Sequence, residues 1–130
     1  MITSHPLKRS SIVLLYFICL VAITTACGHR QKFEKQKWNE QNETGEYPFR
    51  QSMLNDLMEH HGLKGKSYYD VIDLVGEPEK KRNNKSRGLY YNILKKVNQK
   101  DEPVYIKNLI LRLTWDSVVD ELAIEEIKND

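Results

Sequence analysis

His60 and His61 are the first residues of this 130-residue chain whose types invite chemistry. A neutral imidazole is a common metal ligand. Neighbours on a helix, however, point about 100° apart, so one ion does not easily take both. Asp56 stands four residues before His60 and can share a helix face with it. A tetrahedral zinc site needs further ligands, and no other His or Cys is placed to supply them. The expectation is a helix-end histidine interacting with the dipole. Carboxylates stand in pairs at Asp101-Glu102, Asp120-Glu121 and Glu125-Glu126. On a strand, neighbours face opposite sides, so these pairs do not converge. There is no glycine-rich phosphate loop and no ordered Ser-His-Asp set. The chain is therefore expected to be no enzyme, with no catalytic residue, no metal and no cofactor beyond covalent lipid.

That lipid is expected on Cys27. Residues 1–11 hold Lys8 and Arg9 and no acid, and residues 12–26 hold no charge. A basic start, a short apolar run and small residues before a cut describe a secretory signal. A membrane-spanning anchor is the rival, but it takes roughly 20 apolar residues, and this run has 15. Thr24-Thr25-Ala26-Cys27 resembles a bacterial lipobox, with Thr24 where Leu or Val is usual. The resemblance implies acyl chains on Cys27, which becomes the first residue of the mature chain. Stable anchoring takes two or more such chains. Cys19 leaves with the signal, so the mature chain carries no free thiol, as an oxidising compartment favours. Twenty basic residues against 18 acidic give +2, and Lys8 and Arg9 account for both surplus charges. The basic balance thus belongs to the leader, and nucleic acid is excluded as a partner. Removing 26 residues from 130 leaves 104, enough for one domain that buries about two-thirds of its unfolded surface.

The elements that must position everything else follow. Residues 28–47 are polar and mixed in charge and read as a tether. Phe33 and Trp38 interrupt it, either to dock on the domain or to serve as a partner-binding peptide. Over 49–61, Phe49, Met53, Leu54, Leu57, Met58 and His61 share one helical face, between Pro48 and Gly62. A second helix follows over 63–79. Ser67 and Asp70 form a capping box at its start. Val71, Leu74 and Val75 make its buried stripe, Gly76 closes it in the left-handed conformation, and Pro78 prevents its resumption. Residues 80–88 form a loop.

After that loop the period changes to two. Leu89, Tyr91, Ile93 and Val97 alternate with Tyr90, Asn92 and Lys96, and after a turn at 98–103 Tyr105, Leu109, Leu111 and Leu113 share a face. Residues 118–127 fit a strand or a helix. Charge is segregated: 80–100 holds eight basic residues and no acid, while 101–130 holds eight acids and three basic residues. Lys80, Lys81, Arg82, Lys85 and Arg87 are candidate contacts to anionic lipid or an acidic protein patch. Their alternative is a merely solvated loop.

Gly65-Lys66-Ser67, then Val71, Leu74, Val75, Gly76 and Pro78, is similar to a pattern marking SmpA/OmlA or BamE-like lipoprotein domains. Lys66 stands where that pattern has Met. A looser likeness covers 33–127, including Arg50, Met53, Asp56 and Leu57 on the first helix. The resemblance implies an α+β fold: two N-terminal helices packed on a three-stranded antiparallel sheet, half of the two-copy β-lactamase-inhibitor unit. It tips 118–127 toward strand. The organisation expected is a signal over 1–26, a lipidated tether over 27–47 and the domain over 48–130. The function implied is a membrane-anchored scaffold or protein-binding module for outer-membrane assembly or integrity. The alternative is a periplasmic inhibitor or immunity protein. Partners would be envelope proteins and the membrane, with Phe33 and Trp38 joining the basic loop as candidate contacts. Gly28, rather than Asp, after the cysteine favours the outer membrane, facing the periplasm.

Overall fold

The computed structural model describes residues 29–81 and 87–129. Cys27, the expected leader before it, Arg82 and Lys85 lie outside the described residues. Among the described residues, three helices, α1 (Lys35–Trp38), α2 (Arg50–His60) and α3 (Tyr68–Val75), precede three strands, β1 (Gly88–Val97), β2 (Pro103–Leu113) and β3 (Val119–Lys128). The fold class is α+β, with one antiparallel sheet in the order β1-β2-β3.

Period-two alternation decides which sheet face is buried. Leu89 pairs with Leu111 and Leu111 with Leu122; Tyr91 pairs with Leu109 and Leu109 with Ile124. These rows meet Met53, Leu54 and Leu57 of α2, Leu63, and Val71 and Val75 of α3 in one core. The other face carries the rows Tyr90–Ile110–Ala123, Asn92–Asn108–Glu125 and Lys95–Ile106–Ile127. The two hairpins are built by side chains that mimic backbone. Asn98 Oδ1 accepts from the N–H groups of Lys100 and Glu102. Thr114 Oγ1 accepts from the Val118 N–H. Asp101 and Ser117 take φ of 59° and 61° to close these turns.

The ambiguous 118–127 is a strand from Val119 onward. Long-range pairing with Leu109 and Leu111, invisible to local pattern, decides it. Val97 was expected on the core face and is 42% exposed. A register shift between Asn92 and Leu94 adds a residue to β1, and one extra residue sends every later side chain to the opposite face.

The expected tether is the larger correction. From Gln31 to position 47 it is part of the domain. The Gln31 N–H donates to the Ser52 carbonyl at 3.0 Å, the Asn39 side-chain amide donates to the Val75 carbonyl at 2.8 Å, and Trp38 is 0% exposed. An aromatic of this size buries about 150–250 Å², which at ~25 cal/mol per Å² offsets the cost of ordering a few residues.

α3 begins with the expected capping box. Ser67 Oγ accepts from the Asp70 N–H at 3.2 Å, and Asp70 Oδ2 accepts from the Ser67 N–H at 3.3 Å. Gly76 ends the helix at φ 103° and ψ −176°. That is an extended mirror-image conformation open to glycine, not the left-handed helical one expected. The reason is a close approach: a Cβ at Gly76 would lie 2.7 Å from the Asn39 side chain. The left-handed stop occurs instead at Gly62, φ 55°, just past α2.

Candidate functional site

The histidines converge on Asp56. His60 Nδ1 lies 3.1 Å from Asp56 Oδ1 and His61 Nε2 lies 3.1 Å from Asp56 Oδ2. The Phe33 N–H donates to Asp56 Oδ2 at 2.8 Å. That backbone bond, followed by the one to His61, holds the Asp56 carboxyl below its ordinary range. Among the described residues no group of three or more His, Cys, Asp or Glu is arranged to hold a metal ion. What the cluster does is clamp the arm onto α2, with the His61 ring edge-on to Phe33 at 5.1 Å.

Trp38 and Phe33 lie in the core and against it, their rings 5.7 Å apart. Trp38 is thereby removed from the candidate partner contacts, and Phe33 is half-buried. The reason is that α1 turns both rings inward against α2 and Tyr91.

Arg50, which the sequence reading names only within the looser likeness and gives no role, is a functional-looking residue. Its side chain is 0% exposed. Nε donates to the Trp38 carbonyl at 2.9 Å, and Nη1 donates to Glu79 Oε1 at 2.8 Å and to the Asn92 carbonyl at 2.9 Å. Tyr47 stacks on the guanidinium. Nη2 and the Trp38 indole N–H find no partner among the described residues. Burial lowers the Arg50 pKa from its ordinary value, against the opposing pull of Glu79. A signal existed: Arg50, Met53, Leu54 and Leu57 fall at i, i+3, i+4 and i+7, the spacing of one buried face.

The motif residues build a strap. Gly65, at φ 87°, donates its N–H to the Val119 carbonyl at 2.8 Å, and the Val119 N–H donates to the Lys66 carbonyl at 2.8 Å. The Tyr68 N–H then donates to the Ser117 carbonyl. Val71 and Val75 enter the core, Leu74 packs on its margin, and Pro78 is buried. Gly65 through Pro78 thus join α3 to the start of β3.

The described members of the basic set, Lys80, Lys81 and Arg87, make separate contacts. The backbone of Lys80 pairs with Tyr90 in an isolated bridge, and Lys81 forms an ion pair with Glu77. Arg87, just before β1, stacks on Trp115. Lys80 and Lys81 instead edge a cleft of about 660 Å³ between the open sheet face and the loop before α2. Its walls include Tyr47, Tyr90, Asn92, Asn108, Glu125 and Ile127. Cross-strand bonds set the polar groups of this face: Asn108 Nδ2 donates to Glu125 Oε2 at 3.0 Å, and Arg112 Nη1 to Glu121 Oε2 at 2.9 Å. Trp115 and Tyr69, 79% and 80% exposed, stand near one end of the sheet. The sequence signal for Trp115 was its place beside Asp116-Ser117, in a turn with no buried face to enter.

Comparison with family models, with curated proteins and with solved structures finds no match for this chain.

Proposed function

We propose that this chain is a membrane-tethered binding module of the bacterial envelope, held by acyl chains on Cys27 and acting by contact rather than catalysis. The address rests on the leader pattern of residues 1–26 and the Thr24-Thr25-Ala26-Cys27 stretch. An outer-membrane site facing the periplasm and an SmpA/OmlA-like fold are parts of the same reading. The helix–sheet layering and the Gly65–Pro78 strap support the fold assignment.

The observation that carries the binding role is the open sheet face. Helices cover one side of the sheet, while the other presents Tyr90, Ile106 and Ile127 among cross-strand polar pairs and opens into the cleft. Tyr, Trp and Arg are the residues that most often anchor interfaces, and exposed Trp115, stacked on Arg87, adds such an anchor nearby. The carboxylates of the cleft are committed to partners, Glu125 to Asn108, Glu79 to Arg50 and Glu46 to Asn42, which suits docking more than proton transfer.

Photo-crosslinking side chains introduced at Asn92, Ile127 and Trp115 test this in intact cells, with exposed Glu59 on α2 as the control position. Adducts to envelope proteins from the sheet positions and none from Glu59 are expected. No adduct from any sheet position overturns the reading. Labelling with a fatty-acid analogue, lost in Cys27→Ala, tests the anchor.

A further inference from the structure

β3 is the last strand of the sheet, and its outer edge is covered only where it begins. There Gly65 and Lys66 bond both backbone groups of Val119. Beyond Val119, no described backbone group hydrogen-bonds β3 from that side. By contrast, the outer edge of β1 is closed at Tyr90 by Lys80 and at Asn92 by Glu79, whose Oε2 accepts the Asn92 N–H at 2.6 Å. Residues 120–128 thus keep a run of outward N–H and C=O groups, the template that strand addition uses.

Two side-chain features bear on what fits there. Ile124, paired with Leu109, stands on the helix-side face, and Ile127, paired with Ile106, on the open face. Each is 39% exposed, so an incoming strand meets an apolar contact on either side. The edge also carries Asp120, Glu121, Glu125 and Glu126 against Lys128. Arg112 forms an ion pair with Glu121, Lys107 stands opposite Glu126 in the register, and Asn108 donates to Glu125, so three cations, Arg112, Lys107 and Lys128, stand against the four acids of the edge.

A second copy of β3 is the weaker occupant, because it brings four more acids and one lysine to an acidic edge. Antiparallel overlap centred on Ile124 sets Asp120 opposite Lys128 but matches no other acid with a base. Overlap centred on Ala123 sets Asp120 opposite Glu126 and Glu121 opposite Glu125. Like charges directly across a strand pair destabilise it. Parallel pairing in register brings each acid beside its own copy.

We propose that the β3 edge receives an extended, lysine- or arginine-bearing segment of a partner protein as a fourth strand. Main-chain hydrogen bonds supply the attachment, and basic side chains meet the acids of whichever face they lie on, Glu121 and Glu125 on the open side or Glu126 on the helix side. The inference rests on the binding-module reading and adds a site and a partner chemistry to it.

The test mixes the full chain, in detergent, with a short peptide alternating lysine and valine, and separately with one alternating glutamate and valine. Amide hydrogen exchange is read residue by residue. With the lysine peptide, the outward amides of 120–128 are expected to exchange about ten-fold more slowly, while the β1–β2 hairpin is unchanged. The glutamate peptide is expected to do nothing to wild type. The double variant Asp120→Lys, Glu126→Lys is expected to reverse the preference.

Equal slowing by both peptides, slowing by neither, or slowing on the open face alone overturns the proposal. So does protection of 120–128 without peptide that grows with protein concentration, which gives the edge to a second copy. The two readings fail separately. Crosslinks from the open face with no exchange effect at β3 keep the binding module and remove the edge site. Exchange protection without crosslinks does the reverse.

Discussion

Arg50 is a cation held under Tyr47 by groups from three separate segments. Its one charged partner is Glu79, whose side chain is 28% exposed. Removing one member of a buried pair leaves the other uncompensated and costs about 3–5 kcal/mol; the partial exposure of Glu79 puts Glu79→Ala near 3 kcal/mol. A fall in the urea midpoint at unchanged slope checks this. Asp56 makes a pH-dependent contribution. Its pKa is lowered from 3.8 in the folded chain, so the unfolded state binds the proton more readily. The stabilisation is therefore present above the ordinary carboxylate value and is lost as pH falls through the folded one. Unfolding curves of wild type and Asp56→Asn are expected to differ at neutral pH and to draw together below about pH 4. Asp56 was legible as a neighbour of His60 from their spacing of four. Its bond to Phe33 was not, because a contact across 23 residues leaves no local periodicity.

At the scale of elements, legibility followed punctuation. α3 has a hydroxyl and a carboxylate three apart at its start and Gly76 with Pro78 at its end, and it forms where those signals put it. Ser67→Ala is expected to cost about 1 kcal/mol, read as a lower thermal midpoint. The strap bonds through Gly65 and Lys66 involve backbone alone, so they remain in that variant. α2 was legible too, apart from its buried arginine, since a charge in an apolar phase reads as an error in the phase. β3 was ambiguous because Val118, Leu122 and Ile124 alternate as a strand does while Val118, Val119, Leu122, Ala123 and Ile127 fit a helix, and only the facing strand chooses. The extra residue in β1 leaves only a brief cue: Ile93-Leu94 and Lys95-Lys96 break the alternation at the shift between Asn92 and Leu94 that exposes Val97.

For the whole molecule, the arm completes the core. Trp38 touches Arg50 and Tyr91 through its ring and supplies its carbonyl to the guanidinium. Trp38→Ala is expected to destabilise the chain by about 3–5 kcal/mol, measured by chemical denaturation. A true tether would show no change. A polar composition with two aromatics five residues apart did not distinguish docking on the domain from display to a partner. The open face was legible as the polar half of each alternating strand. The cleft was not, because it arises where residues of the arm meet β1, β2 and β3.

The docking of the arm sets a distance. Hydrogen bonding to α2 begins at Gln31, so on the proposed anchor only residues 27–30 separate acylated sulfur from folded body. Fully extended, four residues reach at most about 14 Å. The body would then ride close against the lipid headgroups with little room to swing, and whatever it grips must come down to the bilayer surface to be gripped.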